Sequence, residues 1–367
     1  MLDPTHARSR QQRLLRDMEQ RRLDALVVGA PEHVYSLSTH RPHVLQQAAM
    51  VLWADGRSWL VTAGEPAQGV AVDEVVSYVA NPMGTQRQEQ PAVVAGRVVE
   101  ALSRRRPSGR VGVDASAVTS QLATLWEFDP VPIDAMLWQM RRRKDPDELA
   151  LMRKAIACTK AMYERARQII RPGVQELTVY TELHAAAVIT AGEPLSPAYL
   201  GNDYAAGSRG GPPRAGRAAQ AGELYILDLG PAYRGYFSDN ARTFAVGGDP
   251  TDVQLRAWET VTGVFPIIER MAKPGTRCRE LFAGVDDHYR ARTGADFPHH
   301  LGHGVGLQPH EFPHLNPFWD DVLVEGEVFT AEPGLYGPDL RAGMRIENQY
   351  LVTAGGVENM TPFPLTL

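Results

Sequence analysis

Leu224-Tyr225-Ile226-Leu227-Asp228-Leu229 is followed closely by Gly235-Tyr236-Phe237-Ser238-Asp239-Asn240-Ala241-Arg242-Thr243-Phe244. The first run reads as a strand and the second as its partner, with Pro231 to Arg234 making the turn. A hairpin centred between Tyr233 and Arg234 places Asp228 opposite Asp239, and cross-strand partners on one face have Cβ atoms about 4.5 to 5.5 Å apart. Two carboxylates that close do not both ionise cheaply unless something positive sits between them. A metal pair meets that demand. Turn capping by one or both aspartates fits the composition equally well, because Asp is depleted in strands and common in turns.

Downstream, five of the eleven histidines fall between His299 and His314, where Gly302 and Gly304 flank His303. Glycine lets backbone and ligand approach one another, and imidazole is a common nitrogen ligand for a divalent ion. The isolated His6, His184 and His288 read as structural. Val328 to Tyr336 places Glu332 at the end of an apolar strand, and Met344 to Asn348 places Glu347 similarly. An acid in an apolar β segment is costly unless paired or metal-bound. Asp228, Asp239, Glu332 and Glu347 supply about four negative charges, enough for two divalent cations, with His303 as a neutral ligand. Such a pair of ions activates water and polarises a carbonyl.

Upstream, Asp145-Pro146-Asp147-Glu148 follows the basic run Arg141 to Lys144 and reads as a capping box with Pro at the first helical position. The helix it opens carries an apolar stripe of Leu149, Met152, Ile156, Tyr163 and Ile170 and stops at Pro172-Gly173. Before it, short apolar runs at Asp24–Gly29, Met50–Trp53, Ser58–Val61 and Gly109–Val113 alternate with helical stretches, as in an α/β layer domain. The boundary falls near Met140. A weak internal repeat spans the second part: Arg171-Pro172-Gly173 leads through a helical pattern to Ala191-Gly192-Glu193, and Lys273-Pro274-Gly275 leads to Thr293-Gly294-Ala295 at the same spacing. Each copy continues into an extended stretch, Pro197 to Leu200 in one and Phe297 to His300 in the other.

The chain of 367 residues, 44% hydrophobic and 22% charged with net charge −5, has an ordinary globular composition. Its acidity argues against nucleic acid as a partner. No apolar run approaches the roughly 18 residues of a membrane span, and Met1 to Arg22 is rich in Arg and Gln where a signal peptide is apolar, so the expected location is cytoplasmic. Cys158 and Cys278, the two cysteines, form neither a disulfide framework nor a cysteine metal knuckle.

The set Asp228, Asp239, His303, Glu332 and Glu347, in this order and in these local sequences, resembles the pita-bread metallohydrolases, and most of all the proline-specific peptidases aminopeptidase P and prolidase. Leu23 to Leu37 and Arg143 to Ala155 are similar to their opening strand and helix and to their domain entry. The resemblance implies an α+β chain: an amino-terminal α/β, creatinase-like domain over 1–140, serving substrate access and oligomerisation, and a duplicated pita-bread catalytic domain over 141–367. It implies two divalent ions, manganese first, with cobalt, zinc and iron also suited. Asp228 and Asp239 would hold one ion and Asp239, His303 and Glu332 the other, with Asp239 and Glu347 bridging, and a bridging hydroxide would attack an Xaa-Pro peptide bond. Glu332 would also shuttle the proton. His299 would stabilise the tetrahedral intermediate, His310 would contact substrate near the scissile bond, Arg345 would steady the substrate or a carboxylate near it, and Tyr336 would stand near the metals. A homodimer or larger assembly is implied as well.

One position departs from the pattern. Proline-specific members carry a histidine about 17 residues before the first ligand aspartate, and here that place is Gly211, inside Gly207 to Arg217. This loop would wall the substrate pocket. Its content leaves a non-peptide small amide or related small molecule open as the substrate, with a non-catalytic binding member of the family as the remaining alternative, and Arg209 and Arg214 open either as contacts to an acidic substrate or as loop surface.

Overall fold

Apolar strands buried on both faces build the unit Met1–Arg141, seen in a computed structural model that describes residues 1–66, 69–105, 109–195 and 203–367. Its elements are α1 (Pro4–Arg21), β1 (Leu23–Val28), α2 (Pro31–Ser38), β2 (Ala49–Trp53), β3 (Ser58–Ala63), β4 (Glu74–Tyr78), α3 (Gln90–Arg105), β5 (Arg110–Val113), α4 (Ala117–Leu125), β6 (Asp129–Pro132) and α5 (Asp134–Arg142). The six strands form one mixed sheet in the order β4-β3-β2-β1-β5-β6. Alternate residues point to opposite faces of a strand. Ala25, Val27, Ala49 and Val51 therefore join a core with Val94, Val98 and Leu122, while Leu26, Val28, Met50 and Leu52 join another with Leu14, Met18, Val34 and Leu37. The Arg- and Gln-rich opening segment is helix α1. Its inward face carries Arg10 and Gln11, whose side chains donate to the carbonyls of Ser36, Leu37 and Ala71. Hydrophobic periodicity does not register a face built that way.

The second unit, Arg142–Leu367, opens with α6 (Pro146–Ile169). The Glu148 carboxylate reaches back 2.8 Å to the Asp145 amide, closing the capping box. The buried face of α6 includes Leu151, Met152, Ala155, Ile156, Met162, Tyr163, Ala166 and Ile169, whereas Leu149 and Ile170, placed on that stripe from spacing, are half-buried. There follow α7 (Glu176–Ala191), β7 (Asp203–Ala206), β8 (Leu224–Asp228), β9 (Ala232–Tyr233), β10 (Tyr236–Phe237), β11 (Ala241–Ala245), α8 (Asp252–Thr262), α9 (Phe265–Met271) and α10 (Cys278–Thr293). The chain ends with β12 (Gly302–Gly304), β13 (Glu311–Leu315), β14 (Val328–Ala331), β15 (Gly334–Gly337), β16 (Ala342–Arg345), β17 (Asn348–Thr353) and β18 (Gly356–Asn359). Sheets of order β11-β8-β7 and β13-β12-β14-β17-β18 carry the site.

The repeat holds well beyond the Pro-Gly pairs. Helices α7 and α10 are 16 residues each and end on left-handed glycines, Gly192 at φ 75 and Gly294 at φ 74. The amides of Gly173 and Gly275 each donate 2.8 Å to a carbonyl, Ala219 in one copy and Leu323 in the other. Glu223 accepts from the Gln220 amide and Glu327 from the Val324 amide, and each acid is ion-paired, with Arg217 and with Arg142. Of the extended stretches placed after the helices, Pro197 to Leu200 lies outside the described residues. Phe297 to His300 is irregular, and the strand begins at Gly302.

The hairpin differs from the sequence reading by one step in its centre. Tyr233 pairs with Tyr236 and Ala232 with Phe237, and Asp228 pairs with Ala241 instead of Asp239. The turn is Arg234-Gly235, both at positive φ, 49 and 89. A two-residue turn with positive φ at both central positions matches the twist of a hairpin, and Gly235 makes it inexpensive. The shift moves the partner of Asp228 by two residues. Asp239 is therefore diagonal to Asp228 and, side-chain period being two, still on the same face.

Candidate metal centre and its surroundings

Four strand ends converge on one group of acids. Asp228 terminates β8, Glu332 follows β14, Asp239 lies between β10 and β11, and Glu347 sits in the short link between β16 and β17. Glu347 is thus in a connection and not inside an apolar strand; its amide donates 2.9 Å to the carbonyl of Ala241, and its carbonyl accepts from Asn240 and Arg242. His303 occupies the centre of β12, between glycines whose added Cβ atoms would strike the Thr330 and Phe312 carbonyls. Adjacent chain segments run too close there for any larger residue. Ligand atoms of Asp228, Asp239 and Glu347 lie within 4.8 Å of one another, as do those of His303, Glu332 and Glu347, and those of Asp239, His303 and His310.

The electrostatics of this cluster are unfavourable without a cation. Burial, followed by the charges of Glu347 and Glu332, pushes the Asp228 carboxyl well above the usual carboxylate range. Asp239 is raised by burial and then by Asp228 and Glu332, and Glu347 by burial and then by Asp239 and Glu332. Burial works the same way on Glu332, but contact with His303, aided by His300 and His299, lowers it. Asp228 Oδ1 and Glu347 Oε2 are buried with no hydrogen-bond partner among the described residues. The His303 Nδ1 stands 3.1 Å from the Gly304 carbonyl, so that nitrogen carries a proton and donates. Its Nε2 then faces Glu332 at 3.4 Å and Asp239 at 3.8 Å. A ring nitrogen aimed at two carboxylates, beside two orphaned carboxylate oxygens, is the environment a divalent cation satisfies, and a second bond fixing the ring is how metal-binding imidazoles are oriented.

Arg345, at the end of β16, donates from Nη2 to Asp228 Oδ2 at 2.8 Å and also to Asp203, and from Nη1 to the Tyr336 hydroxyl at 3.3 Å. Tyr336, on β15, stands 3.3 Å from His299 Nε2, and His299 Nδ1 is 2.7 Å from the His300 carbonyl. Burial lowers the His299 imidazole. A neutral His299 with its proton on Nδ1 presents Nε2 as an acceptor, so it offers no N–H on that side; the hydroxyl of Tyr336 is the donor there. His310, open to solvent on one side, stacks on His303 with ring centres 3.6 Å apart. Burial and then His303 push its imidazole down to about 4.

Two residues around this cluster escaped the sequence reading. His300 Nε2 lies 3.3 Å from Glu332 Oε1; the histidine-rich run flagged the region without separating His300 from its neighbours. Asp203 pairs in register with Asp228, and beside an Asn it reads locally as a turn residue. The loop arginines separate cleanly. Arg214 grips the fully buried Glu176 through Nε at 3.0 Å and Nη2 at 2.6 Å, whereas Arg209 is exposed. Gly211, at φ 120, donates its amide to Asp203.

Comparisons with known proteins agree with this geometry. The Creatinase/Prolidase N-terminal domain matches residues 10–142. Over 365 residues the chain is 27% identical to a Xaa-Pro dipeptidase of Pyrococcus furiosus, covering 96% of this chain and 98% of that one. The dipeptidase PepE of Mycobacterium ulcerans has a structure similar to this one, with TM-score 0.78 at 25% identity, covering 100% of this chain and 98% of that one. The X-Pro aminopeptidase of Thermotoga maritima shares the fold with TM-score 0.81 at 20% identity, over 97% of this chain and 98% of that one. No helix among the described residues is long and apolar enough to cross a membrane. Metallopeptidase family M24 matches residues 150–354, more than half of the chain, and together with the cluster of acids around His303 this makes the protein a member of that metal-dependent peptidase family, with a creatinase/prolidase domain ahead of the catalytic one.

Proposed function

We propose that this chain hydrolyses the Xaa-Pro bond at the amino end of peptides or in dipeptides, using two divalent ions held by Asp228, Asp239, His303, Glu332 and Glu347. The observation that carries the reading is the His303 Nε2 facing two carboxylates beside the orphaned oxygens of Asp228 and Glu347. The shared position of Glu347 in two of the ligand groups suits a bridging role, and Asp239 likewise belongs to two. Manganese is the first choice for a site rich in carboxylate oxygen, with cobalt, zinc and iron as alternatives. When bound, such ions polarise the substrate carbonyl and make water a nucleophile near neutral pH.

The chain's own residues do the rest. Glu332 takes the proton of the attacking water and passes it to the leaving imino nitrogen. Tyr336, whose hydroxyl accepts from Arg345 and donates to His299 before substrate binds, turns its single proton from His299 to the oxygen on which negative charge develops. His310, stacked on His303, forms the open wall beside the scissile bond. Arg345 steadies Asp228. Replacement of the loop histidine by Gly211 favours a second reading, a non-peptide small amide as substrate. A homodimer or larger assembly belongs to the proposal through the resemblance, and a cytoplasmic location through the composition of the sequence.

The deciding experiment incubates manganese-loaded protein with Ala-Pro and Ala-Pro-Ala and follows the products by mass spectrometry, with a chelated control. Metal-dependent release of alanine is expected. Glu332→Gln is expected to abolish it; retention of most of the wild-type rate would refute the proton-transfer role. Bound metal without cleavage of either peptide would overturn the peptide reading in favour of the small amide.

A further inference from the structure

Three arginines punctuate the loop Gly207 to Arg217, and two are committed to the scaffold. Arg214 is bound to Glu176 and also donates 2.7 Å to the Ala206 carbonyl. Arg217 is bound to Glu223 and to the Ala218 carbonyl. Arg209 has no carboxylate partner among the described residues. Its guanidinium carbon instead lies 5.6 Å from the centre of the Tyr336 ring, and the hydroxyl of that ring contacts both His299 and Arg345. Arg345 is already engaged by Asp203 and Asp228. Among the described arginines of this loop, Arg209 is thus the one with no carboxylate partner.

The backbone around Arg209 is pinned on both sides. The Gly207 amide donates 2.8 Å to the Leu224 carbonyl, and the Tyr204 amide 2.8 Å to the Gly211 carbonyl. Ser208 Oγ bonds the Gly210 carbonyl at 2.8 Å, and the Asp203 carboxylate accepts the Gly211 amide. An added Cβ at Gly210 would strike that same carboxylate. Asp203, fixed in turn by Arg345, anchors the loop that carries Arg209 at the rim of an acidic cluster. With the four acids occupied by the two ions, a substrate carboxylate entering at this rim still needs a cation of its own, and a planar guanidinium resting over the Tyr336 ring receives it bidentately.

We propose that Arg209 is a specificity-determining residue that selects substrates bearing a carboxylate next to the scissile bond. This rests on the peptidase reading. The carboxylate can be the free carboxyl terminus of a dipeptide or an acidic side chain. Four substrates separate these sources: Ala-Pro, Ala-Pro-amide, Glu-Pro-amide and Gln-Pro-amide, each assayed with the metal-loaded full chain and with its Arg209→Gln and Arg209→Lys variants. Arg209→Gln is expected to raise KM about tenfold for Ala-Pro, for Glu-Pro-amide, or for both, while leaving kcat and the values for their neutral counterparts unchanged. Arg209→Lys is expected to recover part of the loss. A selective effect on Ala-Pro identifies the terminal carboxylate, and one on Glu-Pro-amide identifies the side chain. If the neutral amides are cleaved but Arg209→Gln alters all four substrates equally or none, this inference is overturned and the peptidase reading stands. If wild type cleaves none of the four, both fall.

Discussion

The two halves of the Arg142–Leu367 unit share a backbone plan and differ in charge. Each has a Pro-Gly entry, a helix of 16 residues closed by a left-handed glycine, and a buried, ion-paired glutamate five residues before its strand-end acid. In register, Asp228 corresponds to Glu332, Asp239 to Arg345 and Ala241 to Glu347, because the first hairpin pairs Asp228 with Ala241 and the second pairs Ala331 with Asn348 and Gly334 with Arg345. His303 of β12 stands where the first half has Ala205 of β7. The duplicated frame delivers strand ends to one place; the substitutions at equivalent positions turn that place into an asymmetric site with an acid on one side and an arginine on the other. Frame and chemistry are therefore separable, and mutations at matched positions can pull them apart.

The largest expected effect is on chemistry alone. Asp239→Ala removes an acid shared by two ligand groups, and since losing a mere supporting partner of a metal ligand costs 10- to 100-fold, the loss of turnover is expected to exceed about a hundredfold. Calorimetric titration with manganese should show weaker binding, and far-ultraviolet circular dichroism should be unchanged. Full metal affinity would remove Asp239 from the site.

Next come the matched glutamates. Glu327→Ala removes a fully buried carboxylate from Arg142 and the Val324 amide and is expected to cost about 3 kcal/mol in urea unfolding. Glu223→Ala, whose partner Arg217 is more open to water, is expected to cost about 1 kcal/mol. Equal losses would show that the second half carries no extra weight in the frame.

A smaller effect concerns pH. Asp228, Asp239 and Glu347, raised by burial and by one another, hold protons in the folded, metal-free chain at pH values where the unfolded chain has released them. The folded state then binds more protons, and stability falls as pH rises, by up to about 1.4 kcal/mol per pH unit for each proton retained. His310, at about 4 when folded against an ordinary 6.5, acts in the opposite sense only between those two values. Thermal melts in chelator should therefore decline as pH rises through the range in which these acids give up their protons, and added manganese should flatten the slope. A flat profile in chelator would mean that the acids are neutralised by the protein itself.

The smallest expected effect tests the equality of the frame. Gly192 and Gly294 have the same left-handed geometry and open space around a new Cβ, so alanine at either position is expected to cost about 1 kcal/mol, by the same amount in each half.

Much of this was legible in sequence because the signals are local. A capping box and its Pro act within four residues, and Gly192 and Gly294 end helices wherever they occur. The acids of the site announced themselves by standing at the ends of apolar runs. The parts that failed to show are those in which the deciding partner is distant or is backbone. Arg10 and Gln11 are buried because carbonyls of Ser36, Leu37 and Ala71 await them, and no periodicity encodes that. The hairpin centre turned on whether Gly235 belonged to the turn, a choice of one residue that moved the partner of Asp228 by two.

Alone, then, the sequence determined the alternating α/β pattern of the first unit, the capped helix, the repeat, and the candidate acids and histidine, since each depends on a residue and its chain neighbours. Tertiary structure decided that Asp203 meets Arg345 across more than a hundred residues, that His303 turns its Nε2 toward Glu332 and Asp239, and that Arg214 is tied to Glu176 while Arg209 is left beside Tyr336. Those are outcomes of packing. Side chains of similar type along one loop become different chemical objects according to which buried carboxylate each one reaches.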